Sequence, residues 1–68
     1  MNEVKLAKRI FYAVYKDDGG EAVENLEDEF LRPVDGVLDD LWYDFATRGE
    51  TRWAKRCAHA LKHLTGSN

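Results

Sequence analysis

The sequence predicts an all-α fold: a small bundle of three to four helices, completed by homodimerisation. Three observations carry this. Apolar residues recur at helical spacing almost from end to end, and no segment alternates in the manner of a strand. The punctuation is sparse and well placed, at Asp17-Asp18-Gly19-Gly20, at Pro33 and at Gly49. The chain has 68 residues and a 44% hydrophobic fraction, enough for one domain over residues 1–68 but for only a small core.

The first helix is expected over about residues 2–17. Val4, Ala7, Phe11 and Val14 form its apolar stripe, which Leu6, Ile10 and Ala13 widen. Lys5, Lys8, Arg9, Tyr12 and Lys16 fall largely on the other side, which makes the helix amphipathic with a basic outer face. The adjacent glycines after Asp17-Asp18 stop it, because glycine tolerates positive φ.

Beyond them Val23, Leu26, Phe30, Val34, Val37, Leu41 and Phe45 recur at spacings of 3 and 4, in phase straight through Pro33. Proline removes one backbone hydrogen bond and costs about 3 kcal/mol inside a helix. One long helix kinked at Pro33 and two helices, about 20–32 and 34–47, both satisfy the pattern. The residue before proline is pushed out of helical geometry and Gly36 weakens the following turn, so the break is preferred. A tight turn follows between about 46 and 51, closed either by Gly49 as a C-cap or by a Thr47/Glu50 capping box. The last helix, about 51–64, carries Ala54, Cys57, Leu61 and Leu64 on one stripe with Trp53 and Ala60 beside it. Gly66-Ser67-Asn68 is expected as a frayed tail.

Charge is sorted along the chain. Residues 17–44 carry eleven acidic side chains against the single base Arg32, a net of −10. Residues 1–16 set four bases against Glu3, a net of +3, and residues 45–68 set five bases against Glu50, a net of +4. The formal total of −3 hides two basic ends around an acidic middle. Such a pattern either folds back into intramolecular pairs or faces charged partners.

Several chemistries find no support. One cysteine closes no internal disulfide. On the apolar stripe Cys57 reads as a buried, inert thiol rather than a nucleophile. His59 and His63 stand at i, i+4, a zinc spacing, but two nitrogens are not a site and no glutamate lies between them. Gly19-Gly20 lacks the rest of a phosphate loop. A bundle this small leaves little interior for a substrate cleft. The reading is therefore no enzyme, no catalytic residue, no metal and no cofactor. No apolar run reaches the roughly 18–20 residues of a membrane span and the N-terminal segment lacks a secretory pattern, so the expected location is the cytoplasm. A phage-encoded protein would read the same way.

Two candidate surfaces remain. Glu24, Glu27, Asp28, Asp39 and Asp40 would meet basic residues of another protein. Trp42 or Tyr43 would anchor that contact, because consecutive helical positions cannot all face one core. On the last helix Arg52, Arg56, His59 and His63 share a face, flanked by Lys55 and Lys62. That stripe suits phosphate contacts, with Trp53 beside it to stack on a base. The plainer reading is a solvated face, or one paired with the acidic helices of the same chain or a dimer mate. The function expected first is a non-enzymatic interaction module, a small acidic adaptor or inhibitor that modulates a regulatory or nucleic-acid-binding protein. The alternatives are a small DNA-binding transcriptional regulator using the basic last helix, and a DNA mimic.

Overall fold

A computed structural model describes residues 2–17 and 20–66; the expected break at Asp18-Gly19 and the Ser67-Asn68 tail lie outside them. The described residues form four helices and no strand: α1 (Glu3–Asp17), α2 (Glu21–Phe30), α3 (Val34–Thr47) and α4 (Thr51–Thr65). The all-α expectation holds, and four helices lie within the expected three to four.

Asn2 starts α1. Its Oδ1 accepts from the Val4 N–H at 2.9 Å and the Lys5 N–H at 3.3 Å, which satisfies donors that a helix N-terminus otherwise leaves open. Pro33 breaks the middle helix rather than kinking it. It sits just before α3 at φ −62°, ψ 141°, and α2 stops at Phe30, two residues short of the expected end. Leu31 takes the left-handed region, φ 57°, and its N–H donates to the Glu27 carbonyl at 2.8 Å. The Glu27 side chain then reaches forward and accepts from the Val34 N–H at 2.8 Å. A carboxylate placed there satisfies the first turn of α3 and meets the positive end of its dipole.

At the next corner Gly49 closes the helix and the capping box does not form. Gly49 has φ +80°, its N–H donates to the Ala46 carbonyl and the Glu50 N–H to that of Phe45. This is the paired bonding of a Schellman turn. Thr47 turns back instead, its hydroxyl donating to the Asp44 carbonyl at 3.0 Å.

The core gathers Ala7, Ile10, Ala13 and Val14 from α1, Val23 and Leu26 from α2, Val34, Val37, Leu38, Leu41 and Phe45 from α3, and Ala54, Cys57 and Ala60 from α4. Val4, Leu6, Phe11, Phe30, Trp53, Leu61 and Leu64 pack half-buried around it. Leu38 is the main addition to the expected stripe. It lies four residues after Val34 and three before Leu41, so it was present in the same periodicity. α3 and α4 pair as the tightest unit, while α2 contributes only two buried residues. The molecule measures 32 × 30 × 16 Å. Its Cα radius of gyration of 11.1 Å is close to the value of about 11 Å expected of a compact chain of this length.

Candidate functional site

Three ion pairs join the described residues: Arg9 with Glu29, Arg32 with Asp40, and Arg48 with Glu3. The first is bidentate, at 3.0 and 2.7 Å. Hydrogen bonding to Arg9 holds the Glu29 carboxyl below the usual carboxylate range. This pair ties α2 to α1, and Arg9 also lies over the Phe30 ring, 5.8 Å from its centroid.

None of these pairs joins α4 to the acidic helices. The folding-back reading of the charge pattern is met in part: Arg9 of the basic first block pairs with Glu29 of the acidic middle, whereas no base of α4 pairs with a described carboxylate. Glu24, Asp28, Asp39 and Asp44 are exposed, and no described base lies within ion-pair distance of them. Asp40 is exposed but held by Arg32 at 2.8 Å. Glu27 differs from the rest, being half-buried and occupied with capping α3.

The aromatic residues of α3 leave the core as their spacing demands. Phe45 and Leu41 are buried, whereas Trp42 is 40% exposed and Tyr43 63%. Tyr43 falls one turn after Asp39 on the outward side, with Asp40 and Asp44 on one flank. Asp39, Asp40, Trp42, Tyr43 and Asp44 line one shallow depression. The structure thus brings four of the seven expected partner-binding residues (Asp39, Asp40, Trp42 and Tyr43) to a single edge on α3. Glu24 and Asp28 stand apart on α2, one turn from each other.

On α4, Arg52, Lys55, Arg56, His59, Lys62 and His63 are all exposed. Trp53 is not available as a stacking platform. Its ring stacks on Phe11 at 6.3 Å and on Phe45 at 6.0 Å between centroids, and Arg56 covers it at 5.0 Å. The histidines are engaged with α1: the Tyr15 hydroxyl lies 3.3 Å from His59 Nδ1, and the Tyr15 and His63 rings are 5.0 Å apart. Cys57 is fully buried, and burial pushes its thiol up to about 11, so the reactive thiolate is suppressed. Among the described residues no group of three or more His, Cys, Asp or Glu is placed to hold a metal.

A groove between α1 and α4 was not anticipated. Phe11 and Tyr15, one turn apart on α1, form its wall, and Lys55, Arg56 and His59 form the rim across from them. Its volume is about 650 Å³. The signal was present in the sequence as Phe11 and Tyr15 at i, i+4. Their meeting with Lys55 and Arg56, some forty residues later, depends on how α1 crosses α4.

Neither a scan against protein-family models nor searches of curated proteins and of solved structures finds a match to this chain. Among the described residues no helix is long and apolar enough to cross a membrane.

Proposed function

We propose that this protein is a non-enzymatic interaction module of the cytoplasm, an acidic adaptor or inhibitor that binds a basic surface on a regulatory or nucleic-acid-binding protein. The observation that carries the reading is the exposed α3 edge, where the Asp39 and Asp44 carboxylates have no described base within ion-pair distance beside the outward Trp42 and Tyr43, Arg48 reaching only the Asp44 carbonyl. Like charges left unpaired on one face repel, and exposed ion pairs return only about 0–1 kcal/mol each. The carboxylates that make no pair therefore do little for the fold. In an interface they steer a basic partner at long range, and the aromatic rings supply the desolvated anchor. We place homodimerisation in the same reading, since a chain of 68 residues with one cysteine has a small core and no internal disulfide.

The test is capture by the full chain at physiological salt, followed by purification of the captured partner and direct titration. Replacing Glu24, Asp28 and Asp39 by their amides, together with Tyr43→Ala, is expected to weaken binding at least tenfold and leave the melting temperature within a few degrees. Equal binding by the variant, or a collapse of its fold, overturns the reading. Competition by duplex DNA for the same partner site marks the protein as a nucleic-acid mimic.

A second reading, direct nucleic-acid binding by α4, is supported by Arg52, Lys55, Arg56 and Lys62, which are exposed and make no ion pair with a described carboxylate. It ranks lower because Trp53 is already stacked and the acidic face opposes a second phosphate array. Anisotropy with duplex DNA at physiological salt separates the two, since phosphate-driven binding falls steeply with salt.

A further inference from the structure

The α1–α4 groove and the α3 edge are opposites in charge, and each carries two aromatic rings. The groove offers two aromatic rings, Phe11 and Tyr15, under a rim of Lys55, Arg56 and His59. Tyr15 is 46% exposed, and partial burial raises the pKa of its hydroxyl, so it stays protonated beside His59. The edge offers the 63% exposed Tyr43 with Asp39 and Asp44 beside it. Neither Lys55 nor Arg56 has a described carboxylate within ion-pair distance, and no described base lies within that distance of the Asp39 or Asp44 carboxylate, Arg48 bonding only the Asp44 carbonyl. Its aromatic wall and basic rim suit an acidic, aromatic helix laid across it.

We infer that the groove receives the α3 edge of a second copy of this chain. Tyr43 of one copy lies against Phe11 and Tyr15 of the other, and Asp39 and Asp44 meet Lys55, Arg56 and His59. A twofold axis makes this contact twice, each copy giving its edge and receiving its mate's. Charge complementarity selects the occupant: the α3 edge is acidic and aromatic together, and the rim that would hold it is basic. The contact also closes the edge proposed above for a foreign partner, so partner binding and self-association compete. The inference rests on the self-association placed in the proposed function and shares residues with its partner surface.

Sedimentation equilibrium of the full chain, from roughly 10 to 500 μM to bracket a micromolar constant, reads the contact directly. The expected result is a shift from 7.8 kDa toward twice that mass, weakened as salt rises. Lys55→Glu with Arg56→Glu, and separately Asp39→Lys with Asp44→Lys, are each expected to weaken self-association at least tenfold while keeping the helical circular dichroism. Mixing the two variants restores association, because each then presents the charge the other's groove and edge require. Tyr43→Ala weakens the contact without changing any charge. A wild-type monomer throughout the range overturns the inference, as does a dimer that survives both reversals or a mixture that stays monomeric. The partner reading fails separately, through a captured protein that ignores the α3 edge.

Discussion

Gly49 and Leu31 both end a helix in the left-handed region, at φ +80° and +57°, yet they reach it at different cost. At the α3–α4 corner glycine adopts that geometry freely, and two backbone hydrogen bonds, to Phe45 and Ala46, close the turn. At the α2–α3 corner a leucine holds it, where a side chain with a Cβ costs roughly 1–2 kcal/mol. Its side chain is 87% exposed, so no burial offsets that cost. The leucine stays because its neighbours leave the backbone little choice. Pro33 bars a continued helix, the Leu31 N–H is bonded to Glu27, the Glu27 carboxylate is bonded to Val34, and Arg32 reaches Asp40. A corner tolerates an ill-suited residue when bonds on both sides fix it.

The largest test of this account is Glu27→Ala. It leaves the half-buried Val34 N–H without its carboxylate and is expected to cost about 1–2 kcal/mol. Thermal unfolding should register a fall of about 4–8 °C per kcal/mol for a domain of this size. No fall would mean that Pro33 alone sets the corner.

Exchanging the two residues gives the next effects. At Gly49 an added Cβ meets nothing within 4 Å, so Gly49→Leu isolates the backbone strain and is expected to cost about 1 kcal/mol. Leu31→Gly is expected to stabilise by up to about 1 kcal/mol, reduced by the extra freedom glycine gives the unfolded chain. Urea unfolding with a constant slope measures both. A loss at Leu31 would show that this exposed side chain has a use in the fold that its burial does not reveal.

The smallest effect concerns the fastening of α2. The folded Glu29 carboxyl is held below its ordinary value, first by hydrogen bonding to Arg9. The pair therefore supports the fold above the ordinary carboxylate range, and that support fades as pH falls through it, below roughly pH 4.5. Arg9→Met should flatten this part of the stability–pH curve relative to wild type. Both side chains are about half exposed, so the difference is expected to be slight and to shrink in high salt.

Where local chemistry alone decides, the sequence could be read closely. The stripe Val34, Val37, Leu41, Phe45 is buried as its spacing requires, and Trp42 and Tyr43 face outward for the same geometric reason. Pro33 marked the α2–α3 boundary because its ring fixes φ and removes a donor. Two local readings at the α3–α4 corner competed, and Gly49 won over Thr47 and Glu50 because the Thr47 hydroxyl bonds backward to Asp44. Asn2 is likewise a local feature, a cap whose amide oxygen reaches the Val4 and Lys5 N–H groups.

Long-range partners were another matter. The sequence determined by itself that the chain is helical, where most helices start and stop, which residues are apolar, and that charge is divided into blocks. Each of these follows from interactions spanning at most about four residues, the reach of a helical turn. Only the tertiary structure decided that Arg9 pairs with the acidic middle while the bases of α4 pair with no described carboxylate, that Glu27 caps α3 instead of facing a partner, and that Trp53 is enclosed by Phe11, Phe45 and Arg56. The groove of Phe11, Tyr15, Lys55, Arg56 and His59 belongs to the same class. These outcomes depend on how α1 and α3 lie against α4, and that arrangement is fixed by the joint packing of all four apolar stripes rather than by any one of them.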